Sequence, residues 1–358
     1  MKNYLVISLL CIFIGDATAK SGPQKESALK RVFKKDFLVG AALNPGQFFG
    51  AADDNCEVAL IKKQFNTISP ENVLKWESVH PWPGQYNFGP ADRYVEFGIK
   101  NKMFIIGHNL VWHNQTPAWV FQNALGAPLS RDALLQRMRD HIFTVVGRYK
   151  GKIKGWDVVN EAVDEDGSLR QSGWLKIIGE DYLLKAYQFA HEADPHAQLY
   201  YNDYSMENPP KRAGAIALLK KLQAQVAPIY GVGMQGHYTM DWPIPSEVEQ
   251  TITDFASLGL KVMITELDVN LLPPPGSNSL PDALQQALAR RYAGLFKVFV
   301  KHRHQITRVT FWGVTDADSW LNYIPVPGRT EYPLLFGRGC VTKPAFDAVV
   351  AVGESTPQ

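Results

Sequence analysis

Cysteine is scarce in this chain, with three among 358 residues. Cys11 lies inside an apolar run near the N-terminus, directly after Leu10, and is not read as a lipidation site. The remaining Cys56 and Cys340 are too few for a disulfide scaffold or a four-thiolate metal site. Two separate buried thiols are the expectation, with one disulfide as the alternative that secretion would permit. Charge of a single sign is lacking as well. The formal net charge is +2 and no Lys/Arg block occurs, so nucleic acid is not an expected partner. A membrane anchor is the rival reading of the N-terminal apolar run, but that run is too short to span a bilayer and nothing later supplies a second span, so none is expected. There is no glycine-rich phosphate turn and no G-x-S-x-G elbow. Gly231, Gly233 and Gly236 do spell G-x-G-x-x-G, but inside a strand candidate and not at a strand-to-helix junction.

What is present begins with a leader pattern. Lys2, the apolar stretch 4–14 and the small-residue ending Ala17-Thr18-Ala19 are the three zones of a secretory signal peptide, so residues 1–19 are expected to be removed and 20–358 to form the working protein, secreted to the periplasm or beyond. The chain is 46% hydrophobic and 20% charged, a balance that suits one large globular domain or two small ones. From Phe37 onward a short apolar run repeatedly gives way to a longer segment with helical spacing. The strand candidates are 37–43, 65–72, 104–112, 155–162, 198–204, 231–238, 261–269 and 308–316. Cap chemistry opens several helices, with Ser130 before Asp132 and a proline in the first turn at Pro90, Pro245 and Pro281. Eight such units with continuously apolar strands predict a parallel sheet closed into a (β/α)8 barrel. An open doubly wound sheet is the alternative, but its usual phosphate turn is missing from "ALNPGQFFGAADD".

In a barrel of this kind the C-terminal strand ends form the functional face, and polar residues gather there. The strands end in turn on Glu71 and Asn72, on His108, Trp112 and His113, on Asn160 and Glu161, on Asn202 and Asp203, on Gln235 and His237, on Glu266 and Asp268, and on Trp312 with Asp316, Asp318 and Trp320. Glu161 and Glu266 come from the fourth and seventh strands, three places apart around a ring of eight, so their side chains can converge across the mouth. Two convergent carboxylates suit acetal cleavage, one protonating the leaving oxygen and the other attacking or stabilising the sugar cation. Burial and mutual repulsion would raise the pKa of one of them, as a general acid requires.

Three other uses of these residues compete with this one. Each glutamate could belong to an ordinary buried ion pair, although neither has a basic residue within four positions on its C-terminal side. His108 and His113 could bind a metal, but their spacing is not that of a helical H-x-x-x-H and a third ligand would have to come from afar, so no metal or other cofactor is expected. Serine or cysteine nucleophile chemistry finds neither its turn nor a Cys beside a His at a strand end. Of the nine tryptophans, Trp76, Trp112, Trp312 and Trp320 stand near strand ends and would offer flat platforms to a pyranose ring, whereas Trp119, Trp156 and Trp174 read as core.

The segments "FNTISPENVLKWE", "GHNLVWHNQTPAWV", "WDVVNEAVDEDG", "YYNDYS", "GMQGHY", "ITELDV" and "FWGVTDADSWL", in this order, resemble the family 10 glycoside hydrolases, whose usual activity is endo-1,4-β-xylanase. The resemblance runs from "LVGAAL" to "TKPAFDAV". It implies a retaining mechanism on xylan and xylo-oligosaccharides, with Glu161 as acid/base and Glu266 as nucleophile. It also implies sugar-binding roles for Glu71, Asn72, Lys75, His108, Trp112, Asn160, Gln235, His237, Trp312 and Trp320. Asn160 would bond the 2-hydroxyl of the sugar being cleaved, His237 would keep Glu266 ionised, and Trp320 would crowd the hydroxymethyl of a hexose. A monomer is expected. Two stretches stand apart as particular to this chain, "LLPPPGSNSLPD" and "NYIPVPGRTEYPLLFGRGC", and would bear on chain-length and branch preference. A glycanase for cellulose or mannan, and a carbohydrate-binding barrel without catalysis, are the competing readings.

Overall fold

The computed structural model describes residues 27–49, 55–273 and 279–355. The leader reading, on residues 1–19, lies outside them. Among the described residues nine strands occur in the order β1 (Leu38–Leu43), β2 (Thr67–Pro70), β3 (Phe104–Val111), β4 (Gly155–Asn160), β5 (Gln198–Asp203), β6 (Gly231–Met234), β7 (His237–Thr239), β8 (Lys261–Asn270) and β9 (Ile306–Phe311). Each pairs in parallel with its neighbour. Pairing of β6 with β8 and of β9 with β1 closes eight of them into a ring, the predicted barrel. Helices connect the strands around the outside, as parallel pairing requires.

Local chemistry explains the breaks. The predicted sixth strand, 231–238, is interrupted at Gly236, whose φ of +83° only glycine adopts without cost. The chain resumes as β7, which pairs with the upper part of β8 in the register His237↔Asp268. This extra strand sets His237 beside the strand that carries Glu266. The predicted eighth strand stops at Phe311, five residues early, because Gly313 (φ +133°) turns the chain into a loop. Ser130 Oγ accepts from the Ala133 amide to start the helix Arg131–Arg148, and Pro90 and Pro245 occupy first turns as expected, whereas Pro281 stands one position earlier, at the cap of Asp282–Lys301.

Ile106, Tyr200 and Met263 touch one another from β3, β5 and β8, strands that are not neighbours, so they meet inside the barrel. Above them the filling becomes ionic. Arg308 and Asp157, each 2% exposed, lie 3.7 Å apart. The guanidinium sits 4.8 Å from the Tyr200 ring, and Asp157 Oδ2 is 3.0 Å from His108 Nδ1. Removing one partner of such a buried pair strands the other charge, at about 3–5 kcal/mol. The layer lies under His108, whose ring Asp157 holds.

Cys56 and Cys340 form a disulfide across 284 positions, which overturns the expectation of two separate thiols. Cys56 is not buried: it is exposed at the start of the helix Cys56–Gln64. The cause is ring closure. Once β1 pairs with β9, the loops that follow them share one rim, and residues remote in sequence become neighbours. A cross-link over so long a loop restricts the unfolded chain and typically adds about 2–5 kcal/mol.

Candidate active site

At the C-terminal ends of the strands lies a cleft of about 600 Å³. All twelve residues assigned to the site from the sequence line it: Glu71, Asn72, Lys75, His108, Trp112, Asn160, Glu161, Gln235, His237, Glu266, Trp312 and Trp320. Asn114, Gln115, Tyr204, Ser205 and Ile324 complete the wall.

Glu161 follows the last residue of β4 with φ +57°, a strained conformation for a side chain of its size. The turn is held from both sides, its amide donating to the Asn202 carbonyl (2.9 Å) and its carbonyl accepting from Arg170 Nε (2.9 Å). The turn delivers the carboxylate to neutral donors. Oε2 accepts from Trp112 Nε1 at 2.8 Å, and Oε1 accepts from Gln235 Nε2 at 2.9 Å and Asn160 Nδ2 at 3.2 Å. The nearest basic group is His113, 4.0 Å away.

Glu266 is bound differently. Its Oε1 accepts from Asn202 Nδ2 (2.8 Å) and its Oε2 from His237 Nε2 (3.2 Å). Thr265 Oγ1 donates to the Oδ1 of the same Asn202 at 2.7 Å. Two consecutive strand residues could not both reach one side chain under simple alternation. The irregular register between Ile264 and Leu267 allows it. Gly233 on β6 leaves the space, since a Cβ there would stand 2.3 Å from Asn202 Oδ1. Asn202 also donates to Asn160 Oδ1 at 2.9 Å, so the two glutamates are joined through Asn160 and Asn202.

The two carboxylates thus have different electrostatics. Burial would raise the Glu266 pKa, but the His237 hydrogen bond, the His108 and His237 charges and the Asn202 amide outweigh it and hold the group below its ordinary value. Burial likewise acts to lower the His237 pKa, yet the Asp268 and Glu266 carboxylates raise it to about 10. His237 is therefore an imidazolium at neutral pH, donating from Nδ1 to Asp268 (3.0 Å) and from Nε2 to Glu266. Asp268 in turn accepts from Trp320 Nε1 at 2.8 Å. One consequence can be measured. A group that must be ionised to act, with its pKa depressed in the folded protein, loses activity only at a pH below the ordinary glutamate value of about 4.3. The acidic limb of kcat/KM is expected there, and His237→Asn is expected to move it upward; an unmoved limb would contradict the assignment.

Opposite lies a second polar corner. Lys75 Nζ donates to Asn72 Oδ1 (2.9 Å) and Gln115 Oε1 (2.7 Å) and sits 5.0 Å from the Trp112 ring. Burial lowers its pKa despite the surrounding glutamates, and burial raises that of Glu71 despite Lys75. Glu71 is placed by its amide, which donates to the Leu43 carbonyl at 2.9 Å.

Not every strand-end residue faces the cleft. Asp203 is fully buried against Lys211 (3.0 Å), and burial raises its pKa to about 6. Asp316 pairs with Lys343 (2.9 Å), and Asp318 accepts from Asn44 (3.0 Å). Trp76, expected as a platform, is 2% exposed and stacks on His141 with ring centroids 3.6 Å apart. Its short helix, Trp76–Val79, turns the ring inward. Trp156 and Trp174 are core as expected, and Trp119 is half-buried beneath Arg137. Pairing of either glutamate with Arg or Lys is not seen: among the described residues the basic groups within 4.0 Å of Glu161 and Glu266 are histidines. Among the described residues no three His, Cys, Asp or Glu side chains gather to hold a metal. Asn202, Asp268 and Gln115 were not assigned to the site. Asn202 and Asp268 were visible as polar strand ends; their roles depend on the bulge and on β7, which carry no sequence signal.

Comparison with known proteins finds relatives over almost the whole chain. The profile of Glycosyl hydrolase family 10 matches residues 28–352. The chain is 42% identical over 352 residues to a protein named beta-1,4-xylanase from Dictyoglomus thermophilum, covering 97% of each. Its fold superposes with a TM-score of 0.89 on a GH10 endoxylanase from a sugarcane soil metagenome, 44% identical, over 92% of this chain and 100% of the other. An intracellular xylanase of Thermoanaerobacterium saccharolyticum bound to xylotriose gives a TM-score of 0.84 at 40% identity, over 91% and 99% of the two chains.

Proposed function

The chain belongs to glycoside hydrolase family 10, and on that premise we propose that it is a secreted, monomeric endo-1,4-β-xylanase that cuts internal bonds of xylan with retention, Glu161 serving as acid/base and Glu266 as nucleophile. One observation carries the division of roles. Glu266 is held by a cation and kept ionised, the condition for attack on the anomeric carbon. Glu161 is held by neutral donors, so it can carry a proton without losing a charged partner.

In the first step Glu161 protonates the departing glycosidic oxygen while a Glu266 carboxylate oxygen bonds to C1, giving a covalent glycosyl-enzyme. Glu161, now a carboxylate, then takes a proton from water, whose oxygen displaces Glu266 and restores the β configuration. Asn160 is supported in bonding the 2-hydroxyl by its place between Glu161 and Asn202. Trp320, fixed through Asp268 to His237, suits a wall where a hexose would carry its hydroxymethyl group. Such a wall discriminates by only about 1–3 kcal/mol, so slight action on glucosides is expected.

Secretion is supported by the leader pattern at residues 1–19 and by a disulfide, which an oxidising compartment preserves; N-terminal sequencing of the mature protein tests it. A monomer is supported because one chain supplies the whole cleft. Parallel digestion of xylan, carboxymethyl cellulose and mannan, with the anomeric form of the new end followed by NMR, tests the activity. Rapid release of β-ended xylo-oligosaccharides is expected. Faster action on either other polymer, or binding without turnover, would overturn the reading.

A further inference from the structure

The two stretches set apart in the sequence both expose apolar side chains: Leu272 after β8, and Tyr323, Ile324 and Val326 after β9. The second group adjoins the cleft, since Ile324 forms part of its wall together with Trp320. Its backbone is anchored to that same tryptophan, the amides of Tyr323 and Ile324 both donating to the Trp320 carbonyl, at 2.9 and 3.1 Å.

The base of the loop is also fixed. Asn322, 6% exposed, donates from Nδ2 to the carbonyls of Asp316 and Ser319, both at 2.9 Å. Its Oδ1 accepts from the Glu331 amide (3.0 Å) and Arg338 Nη2 (2.6 Å). One buried side chain thus ties both ends of the loop 323–330 together. Tyr323, 65% exposed, is an aromatic ring presented to solvent on an ordered support. An anchor whose frame is already ordered loses little further entropy when it binds.

We propose that Tyr323, with Ile324 and Val326, forms an additional sugar-binding platform at the edge of the cleft, stacking a neutral xylose unit of the same polymer beyond those held between Glu71 and Trp320. The proposal rests on the xylan reading. A polymer cut internally must leave a cleft of about 600 Å³ at its ends, and Ile324, which lines the cleft and is 55% exposed, directly follows the exposed Tyr323 in the chain. A pyranose offers an apolar C–H face and hydroxyl edges, which a tyrosine ring and its hydroxyl complement. The segment 323–326 carries no charge, and the nearby Arg329 lies 3.6 Å from Glu331, so the platform suits an unsubstituted xylose and not an acidic branch.

The test is kcat/KM for xylo-oligosaccharides of increasing length, measured for the wild type, Tyr323→Ala, Tyr323→Phe and Val326→Ser. Tyr323→Ala is expected to lower kcat/KM on the longer oligosaccharides by about threefold to tenfold, through KM, with the shortest cleaved substrate within twofold of wild type. Tyr323→Phe should keep most of the wild-type gain with length and Val326→Ser should lose part of it. An equal loss at every length would show a structural role and overturn the proposal, as would no loss at any length. A wild type that cleaves none of these substrates would instead refute the xylan reading itself.

Discussion

Replacing Glu266 with alanine is expected to reduce the release of reducing ends from xylan by at least about 10⁴-fold, equivalent to about 5.5 kcal/mol of transition-state stabilisation. The size follows from what disappears. The covalent step has no other candidate at the same place: the Glu266 carboxylate is bound by Asn202 Nδ2 and by the His237 imidazolium, and neither group is a nucleophile for an anomeric carbon. Glu266→Ala also leaves those two donors without their acceptor, at about 1–3 kcal/mol for a buried group. Circular dichroism and thermal unfolding should therefore show a folded protein of somewhat lower Tm. A folded variant with wild-type activity would refute the assignment, because no relaxation of the cleft restores an absent carboxylate.

Glu161→Ala gives a result of a different kind, and the difference distinguishes the two roles. With xylan, whose leaving oxygen needs a proton, the rate should fall by about 10²–10⁴-fold. With an aryl xylobioside whose phenolate leaves without help, the first step should be nearly preserved and the second slow, since water has lost its base. The expected signature is a burst of one phenolate per enzyme followed by slow turnover. Azide needs no deprotonation, so adding it should restore turnover and yield a β-glycosyl azide. Equal loss on both substrates, with no burst, would mean that Glu161 is structural; its strained backbone and its bond to Trp112 would then be the reason for the loss.

How legible this molecule was depends on how local each cause is. Strand and helix identity come from apolar spacing, and strand ends follow from it, so Glu71, Asn160, Glu161 and Glu266 could be placed on one rim without coordinates. Side-chain direction at a strand end was less secure. Asn202 and Asp203 are adjacent, yet Asn202 links the two glutamates while Asp203 is buried against Lys211. Alternation separates them, but the bulge that lets Thr265 and Glu266 both reach Asn202 has no counterpart in the residue pattern. Trp76 misled because one helical turn after the strand end rotates its ring into the core. Cys56 and Cys340 misled because their proximity is a property of the closed ring. The electrostatics of Glu266 was not readable. Burial and like charge argue for raising a carboxyl pKa, and the histidine that reverses the direction at Glu266 is delivered by the separate strand β7.

The most direct test of the central claim is to trap the covalent intermediate. A xylobioside bearing fluorine at C2 of the sugar to be cleaved and a good leaving group at C1 forms the glycosyl-enzyme faster than it is hydrolysed, because the electron-poor sugar slows both steps while the leaving group rescues the first. Peptide mass spectrometry of the inactivated protein should then find one added disaccharide on the peptide containing Glu266 and none on that containing Glu161. Labelling at Glu161 or another residue, or an α-configured product from the natural substrate with no adduct, would contradict the account.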